Sequence, residues 1–338
     1  MIIKENISLK EYNTFGIDAK ASYFCTVTSI AELQEAVALT NYPNKFIISG
    51  GSNMLITTNI NALVIHIAIK GIEVSKEDSN NVWLNVMAGE NWHNLVLWSL
   101  DRNYGGLENM SLIPGNTGTA PIQNIGAYGV ELKDNFVSCE ALHIKSGEIH
   151  SFTKEECKFG YRDSFFKNDG KGKYIITSVV LKLTKKDHNL KISYGAIEAE
   201  LLKNNINQPT IKDVSNAVIA IRQSKLPNPA ELGNSGSFFK NPIVDKLIFD
   251  NFSQNNPEAP FYALPDNTYK IPAGWLIEQC GFKGKRFGDA GVHKNQALVL
   301  VNYGNATGND ILELSKKIQN TVLKRFNISI EAEVNIIK

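Results

Sequence analysis

The stretch that most limits how this chain can fold is residues 111–129, SLIPGNTGTAPIQNIGAYG. It contains four glycines, two prolines and no charged side chain. It is too long for a tight turn, and its glycines and prolines would break a continuous helix or strand. Glycine lets another group approach the backbone, and successive N–H groups of such a loop can converge on an anion. The segment is therefore either a plain connection or a binding loop.

A second uncharged, glycine-rich stretch, SGGSN at 49–53, follows the strand-like segment KFII. Any phosphate bound by either loop would be held by main-chain N–H groups and hydroxyls rather than by lysine or arginine. Neither loop is a G-x-G-x-x-G motif or a P-loop, which disfavours the ordinary dinucleotide fold and the P-loop ATPases. The presence of two such loops in one chain favours a large diphosphate cofactor.

The size and charge of the chain exclude some classes of function. Its 338 residues predict two or three domains. The 35 basic residues nearly balance the 34 acidic ones, so a surface that coats nucleic acid is not expected. The N-terminal sequence becomes polar within three residues, and the longest apolar run, 63–69, is too short to cross a bilayer. We therefore expect a cytoplasmic protein with neither a nucleic-acid partner nor a membrane partner.

Cysteine and histidine spacing indicates no metal centre. Cys25, Cys139, Cys157 and Cys280 are scattered without a C-x-x-C motif, and the six histidines never occur at H-x-x-x-H spacing. Reduced cysteines that mostly serve packing are the expectation, with no metal site.

Helix starts and strand patterns together predict an α+β fold. Ser29-x-x-Glu32 and Thr210-x-x-Asp213 precede apolar stripes of helical period, as N-terminal capping residues do. Segments 136–144, 147–152 and 174–183 read as an antiparallel meander. The alternation in ISIEAEVNII predicts one half-buried strand over 328–337.

Three motifs carry candidate reactive groups. In GYRDSFFK, Arg162 offers a planar fork for a carboxylate, or it forms a surface ion pair with Asp163. In GNSGSFFKNP, Ser237 follows a glycine turn and is either a proton donor or a cap. In the terminal EAEV, Glu331 and Glu333 share one strand face, which either lies in water or turns into a cleft.

Nine motifs occur in an order and spacing that resemble the UDP-N-acetylenolpyruvoylglucosamine reductase family of bacterial peptidoglycan precursor synthesis. They are NTFGID, SGGSN, SLIPGNTGTAPIQNIGAYG, YRDSFFK, KLPNP, GNSGSFFKNP, AGWLIEQCGFKG, VHKNQALVLVN and EAEV. The resemblance runs from about residue 10 to the C-terminus and points to the subgroup with a tyrosine loop. It implies an FAD-binding fold like that of vanillyl-alcohol oxidase, with two α/β subdomains, plus a separate α+β substrate-binding domain. The implied boundaries are 1–60 completed by 328–338, 61–208, and 209–327.

The resemblance also assigns residues to each ligand. FAD is expected to be bound non-covalently by the two loops, at Ser49, Gly50, Gly51, Ser52, Asn53, Pro114, Gly115, Gly118, Gln123, Asn124, Gly126, Ala127 and Tyr128. The nucleotide-sugar substrate is expected to contact Tyr161, Tyr194, Lys225, Asn241 and Gln296. From the residues alone, a lone tyrosine such as Tyr194 is more often a packing residue.

The implied reaction has two halves. NADPH reduces the flavin and leaves, and the enolpyruvyl sugar is then reduced in its place. Arg162 is expected to polarise the enolpyruvyl carboxylate, Ser237 to protonate carbon 2, and Glu333 to assist from the other side. The expected partners are this sugar, UDP-N-acetylglucosamine enolpyruvate, and NADPH, with the protein a monomer.

Two alternatives remain open, and some residues depart from the family pattern. The chain could be another FAD-dependent oxidoreductase of the same fold class, or a nucleotide-binding protein without catalysis. Asn335 lies where many relatives carry arginine, and Asn116 replaces a small or β-branched residue. No role is assigned to 250–270.

Overall fold

The computed structural model describes all 338 residues, which form two compact units. Unit 1 comprises Met1–Ile7, Ala21–Gly50 and Ile60–Gln223, and unit 2 comprises Ser8–Lys20, Gly51–Asn59 and Ser224–Lys338. Each unit is therefore assembled from three separate segments. The three-part division expected from the sequence stays a prediction.

The regular elements follow one another as short strands and eight helices. The strands are β1 (Lys4–Ser8), β2 (Lys20–Val27), β3 (Lys45–Ile48), β4 (Met54–Ile56), β5 (Ile60–Ile67), β6 (Ile72–Glu77), β7 (Asn81–Met87), β8 (Gly126–Ala127), β9 (Val130–Glu131), β10 (Phe136–His143), β11 (Ile149–Thr153), β12 (Tyr174–Thr184), β13 (Gly233–Ser237), β14 (Ile243–Val244), β15 (Tyr262–Ala263), β16 (Tyr269–Lys270), β17 (Arg286–Phe287), β18 (Ala290–Val292), β19 (Val299–Asn302) and β20 (Asn335–Ile337). The helices are α1 (Ile30–Ala38), α2 (Trp92–Asp101), α3 (Leu132–Asn135), α4 (Ile197–Lys203), α5 (Ile211–Lys225), α6 (Lys246–Asn255), α7 (Ala273–Gln279) and α8 (Gly308–Phe326).

Unit 1 begins with a four-stranded sheet in the order β1-β2-β5-β3, in which β2 and β3 both run parallel to β5. Helix α1 starts where the sequence predicts, because Ser29 is its N-cap and accepts the Glu32 N–H at 3.2 Å. Its buried residues, among them Leu33 and Val37, join one apolar cluster with Ile65 of β5.

The three strands predicted as a meander, β10, β11 and β12, lie in a five-stranded antiparallel sheet in the order β11-β10-β12-β7-β6. The predicted meander order is wrong, because β12 pairs with β10 and leaves β11 at the edge of the sheet. Along β7 every second residue is buried, including Val82, Leu84 and Val86, as expected for a strand with one face in the core. Trp92 and Leu95 of α2 are buried in the same cluster. The end of β7 and the start of α2 thus form a rigid corner.

Unit 2 contains a four-stranded sheet in the order β13-β19-β18-β17 and a small sheet in the order β14-β16-β15. Strand β19 is buried along its length. Helix α8 begins with a capping box between Thr307 and Asp310, whose N–H donates to the Thr307 hydroxyl at 3.2 Å.

The final strand predicted over 328–337 is wrong in extent. Only β20 is a strand, and it pairs in parallel with β4. Residues just before it pair instead with the segment after β13, through an antiparallel bridge between Ala332 and Phe239. The segment bends at Val334 because its two ends pair with different parts of the chain.

None of the helices is both long enough and apolar enough to span a membrane.

Candidate active site

The two glycine-rich stretches meet in unit 1. The Ser49 hydroxyl accepts a hydrogen bond from Asn116 Nδ2 at 3.1 Å. A Cβ added to Gly50 would lie 2.7 Å from the Cα of Gly115, so a side chain cannot fit there. The backbone that closely approaches Gly50 therefore belongs to the other glycine-rich loop. The Asn116 side chain joins the two loops.

Segment 111–129 is anchored to the corner between β7 and α2. The Trp92 N–H donates to the Gly115 carbonyl at 3.0 Å, and the Gly118 N–H donates to the Ala88 carbonyl at 2.9 Å. A Cβ on Gly118 would lie 2.5 Å from the Cβ of Ala88. These contacts place the middle of the loop against the main chain of a buried strand.

The end of the loop forms the short hairpin β8–β9, with Gly126 opposite Glu131. A Cβ on Gly126 would lie 2.7 Å from the Val130 carbonyl oxygen, so this hairpin by itself requires glycine. Tyr128 has a φ of +49°, a region that non-glycine residues rarely adopt. Its carbonyl accepts a hydrogen bond from Asn109 Nδ2 at 2.9 Å, and burial raises the pKa of its phenol.

The Asn124 side chain is committed to the protein itself. Its Nδ2 donates to Glu131 Oε2 at 3.1 Å and to the Gly160 carbonyl at 3.0 Å, and its Oδ1 accepts the Lys133 N–H at 3.0 Å. Asn124 therefore fixes the turn that carries Arg162. Among the other residues predicted to contact the cofactor, Pro114 is exposed, whereas Gln123 and Ala127 are half-buried.

The remainder of SGGSN lies in unit 2. Gly51 has a φ of +58°, and a Cβ there would collide with the carbonyl oxygen of Tyr12. Ser52 and Asn53 are half-buried. The Asn53 carbonyl accepts from the Asn335 main-chain N–H at 3.2 Å and from its Nδ2 at 2.9 Å. Asn335 thus anchors this loop to β20.

Arg162 is held in a strained turn. Its φ is +53°, and one guanidinium nitrogen donates to the Gly126 carbonyl at 2.7 Å. Lys167 Nζ donates to the Arg162 carbonyl at 2.9 Å. Tyr161 is 60% exposed, with the guanidinium 5.7 Å from its ring centre. The arginine predicted to be catalytic therefore touches the loop predicted to bind the cofactor.

Arg222 of α5 was not recognised from the sequence. Its Nε is buried and has no hydrogen-bond partner. Burial is the main cause that lowers the pKa of this guanidinium; the positive charge of Arg162 also lowers it, while Tyr128 opposes the change. Arg222 as a whole is half-buried. A guanidinium with a buried, unpartnered nitrogen and no carboxylate partner is costly, and such a group is suited to receive an anion. Its position directly after the buried Ile221 of an amphipathic helix was the signal that could have indicated it.

Ser237 and Glu333, far apart in sequence, are brought close together in unit 2. The Glu333 N–H donates to the carbonyl of Phe238 at 2.8 Å, which places the glutamate beside the residue that follows Ser237. Ser237 ends β13 after an irregularity in its pairing with β19, where the Gly236 N–H donates to Asn234 Oδ1 at 2.9 Å. Ser237 and Glu333 are both half-buried. An alcohol and a carboxyl group therefore stand on adjacent main-chain segments.

The residues predicted to contact substrate fall into two groups. In unit 2, Asn241 Oδ1 accepts the Ala273 N–H at 2.9 Å, and the Gln296 side-chain oxygen would lie 3.3 Å from a Cβ on Gly274. Both amides therefore flank the start of α7. Lys225 is exposed in the same unit.

Tyr194 lies in unit 1 and is 60% exposed. A Cβ on Gly129 would lie 3.2 Å from the Cβ of Tyr194. The tyrosine therefore stands against the end of segment 111–129.

Comparison with known proteins shows similarity over the whole length. Residues 21–153 match the model of an FAD binding domain, and residues 228–337 match the C-terminal domain of UDP-N-acetylenolpyruvoylglucosamine reductase. The chain is 63% identical to the reductase of this name from Flavobacterium johnsoniae and 49% identical to that from Amoebophilus asiaticus, with 100% of each chain covered. The chain belongs to the UDP-N-acetylenolpyruvoylglucosamine reductase family. A crystal structure of the Thermus caldophilus member covers all of both chains with a TM-score of 0.70 and 26% identity.

Membership of the reductase family confirms several expectations from the sequence: the family itself, the α+β class with an FAD-binding fold, and an FAD-dependent oxidoreductase as the class of enzyme. The roles of individual residues stay predictions.

The residues of unit 1 fit the FAD that the reductase family uses. Its diphosphate is an anion, and segment 111–129 has no acidic side chain to repel it. Arg222 supplies a buried nitrogen without a partner, beside Tyr128 of that segment. Main-chain N–H groups and this guanidinium form a suitable donor set for a buried diphosphate.

Proposed function

We propose that this chain reduces UDP-N-acetylglucosamine enolpyruvate to UDP-N-acetylmuramate, with NADPH as the hydride donor and FAD as the bound cofactor, in peptidoglycan precursor synthesis. The observation that carries the proposal is the 63% identity, over the whole of both chains, with a reductase named for this substrate. The placement of the reactive side chains described above supports it.

FAD would be held by the two glycine-rich loops, with Arg222 as the cation that balances its diphosphate charge. When bound, the cofactor would supply hydride transfer between NADPH and carbon 3 of the enolpyruvyl group. The protein holds both partners and excludes water from them. Gly50, Gly118 and Gly126 keep the loop backbone in the shape that binding requires, because no side chain fits at these positions.

Arg162 would bind the enolpyruvyl carboxylate. Its hydrogen bond to the Gly126 carbonyl and its strained turn hold the guanidinium in one orientation before substrate arrives. Addition of hydride to carbon 3 drives negative charge from carbon 2 onto this carboxylate. A planar, oriented guanidinium stabilises that charge more strongly than a mobile ammonium group would.

Ser237 would donate the proton that carbon 2 needs, and Glu333 would support it. A serine hydroxyl is a weak acid, so it can serve only a strongly basic carbon and only when it is held in place. The pairing of Glu333 with Phe238 fixes the spacing of the two main-chain segments that carry these groups.

Tyr161, Tyr194, Lys225, Asn241 and Gln296 would bind the nucleotide sugar. Lysine and tyrosine suit its diphosphate, and the two amides at the start of α7 suit its hydroxyl and amide groups. We further propose that the enzyme is cytoplasmic, since its charged substrates do not cross membranes, and that it is a monomer.

A stepwise spectroscopic assay tests this function. Protein reconstituted with FAD should be yellow, should bleach when NADPH is added without oxygen, and should regain its absorbance on addition of the enolpyruvyl sugar. UDP-N-acetylglucosamine, which lacks the enolpyruvyl group, is the control and should restore nothing. Bleaching without reoxidation by the enolpyruvyl sugar would instead indicate another FAD-dependent oxidoreductase. Failure to bind FAD would contradict both the proposed function and this alternative.

A further inference from the structure

The start of segment 111–129 contains a strained residue with one well-defined partner. Leu112 has a φ of +57°, a conformation that branched side chains rarely adopt. Its N–H donates to Nδ1 of His93 at 3.1 Å. The preceding Ser111 is tied to α5, because its hydroxyl lies 2.8 Å from the hydroxyl of Ser215. The loop therefore leaves the core between two helices, with His93 as the partner from α2.

His93 must be neutral to accept this hydrogen bond at Nδ1, with its proton on Nε2. It lies in the first turn of α2, directly after Trp92 and two residues after the N-cap Asn91, where the positive end of the helix dipole disfavours a cation. Burial, and then the positive charge of Arg222, lower the pKa of His93. The helix dipole, burial and the charge of Arg222 all favour the neutral imidazole, in which Nδ1 can accept the hydrogen bond.

We propose that His93 is a positioning residue for the cofactor loop: its neutral imidazole holds Leu112 in the left-handed conformation, and this conformation is needed for tight FAD binding. The proposal rests on the proposed function in one respect, that segment 111–129 binds FAD. His93 acts through Leu112 and is not placed in contact with the cofactor.

Protonation of His93 reverses the interaction. Nδ1 then carries a hydrogen and faces the Leu112 N–H donor to donor, while a second positive charge appears beside Arg222. Arg222 is the charged group that acts on His93, and it is itself influenced by Tyr128 and Arg162. None of these groups is a carboxylate, so none of them favours the imidazolium form.

The direction of the pH effect follows from this. An unrestrained histidine titrates at ~6.5, and His93 in the intact loop titrates below that value. When the hydrogen bond from the Leu112 N–H is broken, His93 therefore takes up a proton more readily than it does in the intact loop. FAD affinity should be constant at neutral pH and above, and should fall as the pH drops below ~6.5.

Two substitutions separate the acceptor from the titratable ring. His93→Asn places Oδ1 near the position of Nδ1, so it can accept from Leu112 but cannot be protonated. His93→Leu removes the acceptor. We expect FAD dissociation constants, measured by flavin fluorescence from pH 5 to 8, to rise at low pH in the wild type and to stay flat in both variants. His93→Asn should bind as tightly as the neutral wild type, and His93→Leu roughly five- to tenfold more weakly.

A measurement on the apoprotein tests the same point without FAD and without mutation. The protection factor of the Leu112 amide, which corrects its hydrogen-exchange rate for the intrinsic effect of pH, should fall as His93, followed by its ring NMR signals, becomes protonated. If that amide stays protected while His93 titrates, or if His93→Leu binds FAD as tightly as the wild type, the positioning role is wrong. If wild-type protein binds no FAD at any pH, the proposed function fails as well, whatever the exchange data show.

Discussion

At the scale of single residues, backbone strain gathers where the chemistry is expected. Most non-glycine residues with positive φ are asparagine or aspartate, which tolerate it; the others are Leu112, Tyr128, Lys158 and Arg162. Such strain costs about 1–3 kcal/mol per residue and persists only where surrounding contacts impose it. Three of these four residues belong to segment 111–129 or to the turn that touches it. The strained backbone of this region therefore lowers the folding stability of the protein.

Gly126 shows how a residue can matter for a reason other than the one expected. The glycine was expected to let the cofactor approach the backbone. In the structure a side chain there would already strike the Val130 carbonyl, and the Gly126 carbonyl is the acceptor for Arg162. A larger residue would disturb the hairpin and the arginine together.

Replacing Ser237 by alanine should separate the two half-reactions. Bleaching by NADPH should stay near the wild-type rate, whereas reoxidation by the enolpyruvyl sugar should slow ~10²–10⁴-fold, the usual contribution of a positioned proton donor. Stopped-flow absorbance of each step measures this directly. Ser235→Ala, in the same turn, is the matched control and should leave both steps intact. Equal slowing of both steps in Ser237→Ala would contradict the proton-donor role.

At the scale of elements, strand β20 links the C-terminal segment to the first glycine-rich loop. The paired contacts from Asn335 to the Asn53 carbonyl hold the end of that loop in place. Asn335 therefore acts as a structural tie. Its amide adds no charge, and Arg222 is a separate positive group for an anion.

Asn335→Ala should weaken FAD binding without changing hydride transfer at saturating FAD. The side-chain hydrogen bond contributes about 0.5–1.5 kcal/mol, so the dissociation constant should rise roughly two- to tenfold. The main-chain bond from residue 335 remains, which limits the effect. Equilibrium titration measures it, and Asn255→Ala on the exposed face of α6 is the control. An unchanged dissociation constant would mean that the loop holds its shape without this tie.

At the scale of the whole molecule, we expect cofactor binding and stability to be linked through the guanidinium of Arg222. FAD at 100 times its dissociation constant should stabilise the wild-type protein by about 2.7 kcal/mol. Arg222→Met removes a half-buried guanidinium whose Nε is buried and has no hydrogen-bond partner. The apoprotein of this variant should therefore melt at a temperature no lower than that of the wild type. FAD should stabilise the variant less than it stabilises the wild type.

Thermal unfolding with and without FAD measures both quantities for Arg222→Met. A loss of stability of the same size in the two conditions would show a purely structural arginine.

Features that depend on neighbouring residues were predictable from the sequence. The capping residues Ser29 and Thr210 interact with residues three positions on, and strands β10, β11 and β12 form close to where their apolar segments predict strands. The prediction over 328–337 was wrong because alternation reports burial and not partners: the segment divides between residues after β13 and strand β4.

By itself, the sequence determined the local elements, the uncharged glycine-rich loops and, through its motifs, the family and its chemistry. Only the tertiary structure decided which groups meet: Glu333 beside the residue after Ser237, Arg162 on the Gly126 carbonyl, and His93 under Leu112. The physical reason is range. The spacing of residues along the chain predicts hydrogen bonds between near neighbours. Contacts between distant segments depend on how whole sheets and helices pack, and residue spacing does not predict that packing.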